Sequence, residues 1–187
     1  MLTRKEIAEQ DAYLLRRYED FRRVAEFCVR AVVPNLPWIR RVSLFGSLAL
    51  PPFKEVPRFN EYRHERIAVW HEVGDIDLAV WADDLAQMNQ LRVSLSRALN
   101  ELIQCGENGG VASHHFDVFL LEPGSDRYLG RLCHFASCPK PGKLECLTPG
   151  CGAASFVKVV PDFRFDAASI APERSVVLCN RPPRPVV

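Results

Sequence analysis

Gly74-Asp75-Ile76-Asp77-Leu78-Ala79-Val80-Trp81 sets two carboxylates at the start of an apolar run. The run from Ile76 to Trp81 reads as a strand, and strand side chains alternate between faces, so Asp75 and Asp77 project from the same side. Two adjacent carboxylates repel unless a cation bridges them or one is protonated. Hard divalent ions such as Mg²⁺ choose oxygen ligands of this kind, usually together with substrate phosphates. The competing reading is a solvated strand end with Asp75 in a Gly74-Asp75 turn.

Working outward, Asp83 or Asp84 caps a helix in which Leu85, Met88, Leu91, Leu95, Leu99 and Leu102 line one face, and Gly106, Gly109 and Gly110 end it. His114-His115-Phe116-Asp117-Val118-Phe119-Leu120-Leu121 then gives a strand over 116–121 with an aspartate one residue in. A carboxylate at the start of a buried strand needs a partner; if this strand neighbours 76–81, Asp117 joins the first two. Three carboxylates would hold two metals, which in such sites stand roughly 3.5–4 Å apart and stabilise the attacking and leaving oxygens of a phosphoryl displacement.

Upstream, Trp38 to Phe45 reads as a strand that Gly46 punctuates. A glycine at a strand end lets backbone approach a ligand, amides of the following turn can hold phosphate, and Ser47 adds a hydroxyl. From Thr3 to about Val32, Leu14, Tyr18, Phe21, Ala25, Cys28 and Val32 recur at helical spacing, with the arginines at 16, 17, 22 and 23 on a solvated face. Residues 51–66 read as a proline- and charge-rich loop, 67–70 as a short strand, and everything after Glu122 as irregular. The order helix, strand, loop, strand, helix, strand is an α+β or α/β pattern, with the pairing directions open.

The chain has 187 residues with 48% hydrophobic and 10% aromatic content, which excludes disorder, and no apolar run approaches a membrane span. Residues 1–66 carry 13 Lys/Arg against 9 acids, 67–125 carry 2 against 9, and 126–187 carry 9 against 5. The acidic centre coincides with the aspartates, and divalent cations are one way to offset it. A near-neutral whole with no basic stripe argues against broad duplex DNA binding. The first residues lack the features of a secretory signal, so a cytoplasmic location is expected.

Taken in order, Ser43-Leu44-Phe45-Gly46-Ser47-Leu48-Ala49, Gly74-Asp75-Ile76-Asp77-Leu78 and Phe116-Asp117-Val118 resemble the signature of the DNA polymerase beta-type nucleotidyltransferase superfamily, over roughly residues 38–121. The resemblance implies a small mixed sheet flanked by helices. It also implies a nucleoside triphosphate held by Gly46 and Ser47, Mg²⁺ in a two-metal site on Asp75, Asp77 and Asp117, and transfer of a nucleoside monophosphate to a hydroxyl with release of pyrophosphate. The acceptor class stays open among a small molecule, a protein and an RNA end. Three features depart from the pattern: Leu48 stands where small relatives often carry a basic residue, 28 residues separate Gly46 from Asp75, and no strongly helical second domain follows Glu122. The missing phosphate charge is sought in Lys54, Arg58, Arg63, His64 and Arg66; His71 and His115 are minor candidates near substrate. The alternative is a catalytically weak or inactive nucleotide-binding or protein-interaction regulatory module.

Composition divides the chain into a core over residues 1–122 and a Cys- and Pro-rich C-terminal module over 123–187. In the latter, Cys133, Cys138, Cys146 and Cys151 suit a tetrahedral structural Zn²⁺, with His134 as an alternative to Cys133 as first ligand. Isolated free thiols are the other reading. Cys28 and Cys105 fall on helices.

Overall fold

The computed structural model describes residues 2–58 and 61–182. The first helix, α1 (Arg4–Val32), starts where Thr3 and Glu6 cap each other reciprocally and ends as the chain reaches Pro34. Its buried stripe runs through Leu14, Tyr18, Phe21, Val24, Ala25, Cys28, Val29 and Val32, matching the helical period in the sequence. The second long helix, α3 (Met88–Gln104), follows a 3₁₀ turn over Leu85–Gln87 that Asp84 caps through its side chain. Among the described residues no helix is long and apolar enough to cross a membrane.

The strands are β1 (Ile39–Phe45), β2 (Lys54–Glu55), β3 (Val69–Trp70), β4 (Ile76–Ala82), β5 (Phe116–Leu121), β6 (Tyr128–Leu132), β7 (Val157–Lys158) and β8 (Val176–Asn180). Six of them form one mixed sheet in the order β7-β6-β5-β4-β1-β8. Only β4 and β5 run parallel, joined by the α3 crossover that such a pair requires; the other neighbours are antiparallel. With two long helices, a short one and a mixed sheet the fold is α+β.

Chain alternation gives this sheet two apolar faces. Val42, Leu44, Ile76, Leu78, Val80, Val118 and Leu120 pack with α1 and α3 in the main core. Phe45, Ala79, Trp81, Phe119 and Leu121 face the other way, under Phe163, Phe165 and Ile170. Burial on both sides explains why β4 is an almost unbroken apolar run in which Asp77 alone is not buried.

The sequence reading changes in two regions. The stretch after Glu122 is not wholly irregular: it supplies β6 and β7 at one edge of the sheet and β8 at the other, so the sheet runs across the change in composition at residue 122. β8 pairs with β1, and Arg181 fastens it there by donating to the carbonyls of Val33 and Leu36 at the end of α1. The 51–66 stretch is not all loop either. β2 pairs with β3, and the short helix α2 (Glu61–Glu65) buries Tyr62 against Leu14 and Val69. Asp11 of α1 ties this flap down by accepting from the Trp70 amide and from Lys54 Nζ.

Candidate active site

Asp77 is the centre of the candidate site because of where β4 lies. In register it faces Phe45 of β1 on one side and Asp117 of β5 on the other. Parallel neighbours about 4.8 Å apart with matched register send their side chains to the same face, so Asp77 and Asp117 stand side by side. Asp75, two residues before Asp77 and exposed, completes the acidic group. The adjacency of the two strands, which sequence left open, is therefore met.

The electrostatics carry the mark of that arrangement. Burial first, then Asp117, then Asp75 push the Asp77 carboxyl up from 3.8 to about 6, with Arg131 pulling the other way. A carboxyl in that condition gains from any cation delivered to it.

Gly46 closes the site from the β1 side. Its φ of +73° lies in the left-handed region, and a Cβ built there would stand 2.4 Å from Asp77 Oδ2. Glycine here allows two things together: the turn into the 3₁₀ segment Gly46–Ala49, and backbone contact with the central carboxylate. Ser47, partly exposed, is the next residue of the same turn.

Two arginines that sequence reading assigned elsewhere belong to the site. Arg131 of β6 donates to Asp117 Oδ2 at 2.9 Å while its guanidinium lies 4.3 Å from the Phe119 ring centroid and 4.6 Å from that of Phe163. Arg17 of α1 is not merely solvated: Nε donates at 2.8 Å to the carbonyl of Val73, two residues before Asp75, and the guanidinium lies over Phe21. Arg17 was indistinguishable in sequence from its solvated neighbours, and Arg131 sat in a stretch read as irregular. An arginine between apolar residues in Tyr128-Leu129-Gly130-Arg131-Leu132 was the available signal.

The histidines divide. His115 packs on Phe21 and His114, accepts the Ala112 amide at Nδ1, and is held below the usual histidine range by burial, then His114 and Arg17. His71 is occupied in the flap, 2.6 Å from Glu55 and stacked on Phe53. Of the loop cations, Lys54 is engaged by Asp11 and Trp70, and Arg63 by the Arg58 carbonyl. Arg131 is thus a positive charge set against the aspartates, and Arg17 holds the Val73 carbonyl on the approach to Asp75.

No known protein family, curated protein or solved structure matches this chain. Function has to be read from the arrangement itself. Among the described residues no three His, Cys, Asp or Glu side chains form a ready-made metal cage. The donor chemistry nevertheless fits a hard cation: three carboxylates share one end of a sheet, and their repulsion is answered only in part by Arg131. The ion pair to Asp117 is the feature that competes with such a cation.

The four cysteines at 133, 138, 146 and 151 belong to the connection between β6 and β7, which starts two residues beyond the Arg131 that bonds Asp117. Cys133 is buried at the end of β6, and the other three are partly exposed. His134 is exposed. Cys28 is a core residue of α1, where burial pushes its thiol up to about 12, and Cys105 caps the end of α3.

Proposed function

We propose that the chain is a metal-dependent nucleotidyltransferase of the DNA polymerase beta type, moving a nucleoside monophosphate from a nucleoside triphosphate to a hydroxyl. The observation that carries this reading is the pairing of Asp77 with Asp117 in register on parallel strands, beside Asp75 and backed by Gly46. On this reading Asp75, Asp77 and Asp117 hold Mg²⁺, which supplies charge neutralisation at the phosphate oxygens. Gly46 and Ser47 orient the triphosphate tail by backbone amides and a hydroxyl.

Asp117 takes the proton of the acceptor hydroxyl. The freed oxygen forms a bond to the α-phosphorus, the bond between the α- and β-phosphates breaks, and pyrophosphate leaves. Arg17 and Arg131 supply the positive charge that Leu48 does not, and the rate comes from positioning and electrostatic complementarity.

A second reading has one observation in its favour. Arg131 occupies Asp117, the carboxylate that a catalytic metal would need. Thermal unfolding with each ribonucleoside triphosphate, with and without Mg²⁺, tests the first step. The wild type should gain stability and the Asp75→Asn/Asp77→Asn variant should not; equal responses would sink the metal-site proposal. α-labelled triphosphate incubated with cell extract then separates the readings. Label reaching protein, RNA or a small molecule supports transfer, and binding with no transfer supports the non-catalytic module.

A further inference from the structure

Residues 134–155 contain not one buried side chain. Only its ends touch the main core, through partly buried Phe135, Cys138 and Ala154, while in the middle a 3₁₀ turn, Leu144–Leu147, leaves its two leucines 83% and 76% exposed. Such segments inside compact domains are ordered by something other than packing, or not at all.

The segment is nonetheless folded back on itself. The Cys133 amide donates to the Phe156 carbonyl at 2.8 Å, closing the loop at its base, and the Gly152 amide donates to Val157. Turns at Gly142, Gly150 and Gly152, all at positive φ, reverse the chain between the thiols. Cys138 Sγ comes within 3.5 Å of the Cβ position of Gly152, which puts it beside Cys151. The Lys140 amide points at Cys146 Sγ, 3.4 Å away, a donor aimed at sulfur as at a thiolate.

From this geometry we propose that Cys133, Cys138, Cys146 and Cys151 bind one structural Zn²⁺ that orders the connection between β6 and β7. Four thiolates around Zn²⁺ leave a net negative centre, and Lys140 and Lys143, gathered over the Phe135 ring at 4.8 and 5.9 Å, offer the compensating charge. Thiolates sit about 2.3 Å from zinc, so binding draws the partly exposed sulfurs inward and supplies the folding energy that the segment lacks. Cys133, whose amide closes the base of the loop on Phe156, is the first ligand of this proposal in preference to His134. The site stands independently of nucleotide chemistry.

Metal analysis of the untagged full chain is the test. The expected result is one zinc per chain, retained by Asp75→Asn/Asp77→Asn, by Cys105→Ser/Cys179→Ser and by His134→Ala, and lost from Cys138→Ser/Cys146→Ser. Because the cysteine variants can fail to fold, Co²⁺ exchanged into the wild type gives a second readout: the absorption of a tetrahedral thiolate site, abolished by chelator as four thiols become reactive together. Zinc far below one per chain, zinc lost with the aspartates, or a cobalt spectrum without thiolate character would overturn the proposal. So would zinc lost from His134→Ala but kept by Cys133→Ser.

Discussion

The carboxylate end of the sheet and the cysteine loop are both chemically loaded, yet they are held in opposite ways. Around Asp77 the positions are set by strand register: β1, β4 and β5 are buried on both faces, so a slip of one residue would turn an entire apolar set outward. In residues 134–155 no side chain is fully buried; Phe135, Cys138 and Ala154 rest on the main core, and the rest is positioned by glycine turns and a few backbone hydrogen bonds. A site on rigid strands tolerates like charges in contact because packing elsewhere offsets them. A site on a loop with so little burial would gain more order from a bound ligand.

The widest contrast lies in leucine truncation. Leu120, fully buried in β5, should cost about 2–5 kcal/mol as Leu120→Ala, whereas Leu147→Ala in the loop should stay within about 0.5 kcal/mol. Chemical denaturation of both variants checks this; a Leu147 effect near that of Leu120 would mean that the loop packs on something after all.

Next in size is Asp77→Asn. A carboxyl raised from 3.8 to about 6 by burial and by its aspartate neighbours binds its proton more tightly in the folded state than in the unfolded one. Its favourable contribution is therefore present at acid pH, below 3.8, and is lost as pH rises through about 6. Near neutral pH the Asn variant should be more stable than the metal-free wild type by roughly 1–3 kcal/mol, with the difference closing at acid pH. Excess Mg²⁺ should raise the wild type alone. Unfolding curves across pH decide it, and a variant without advantage at neutral pH would show that the aspartates are already compensated.

The smallest effect compares two glycines with the same backbone. Gly46 at φ +73° and Gly142 at φ +72° should each lose at least about 1–2 kcal/mol on substitution by alanine, the cost of a left-handed conformation, with a further steric cost at Gly46. Only at Gly46 does the new Cβ meet Asp77; around Gly142 nothing lies within 4 Å. Gly46→Ala should therefore also abolish the Mg²⁺-dependent stabilisation by nucleotide, and Gly142→Ala should leave it intact.

Sequence carried the parts of this design that repeat. The stripe from Leu14 to Val32, the leucine face of 85–102 and the apolar runs at 39–45, 76–81 and 116–121 are periodic over enough residues to declare helix or strand. Asp75, Asp77 and Asp117 stood out because they interrupt such runs. What was not legible is what depends on neighbours distant in the chain. β6 contains Gly130 and Arg131, and β8 is a half-exposed edge strand, so neither has a periodic signature; they become strands through pairing with β5 and β1. Arg17 and Arg131 join the site only because α1 and β6 are packed beside β4 and β5. The parallel direction of β4 and β5 likewise follows from the α3 crossover rather than from any local residue preference.

The pairing of β1 with β8 also imposes an order on manufacture. Arg41 and Ser43 wait for Asn180 and Val177, residues that leave the ribosome long after β1, β4 and β5 have been made. Through that interval the nascent sheet presents one open edge, a template for any extended segment nearby, including the same strand on a neighbouring polysome. Arg181, reaching back to Val33 and Leu36, is the late fastener that leaves the shorter, half-exposed β8 at the edge in place of β1.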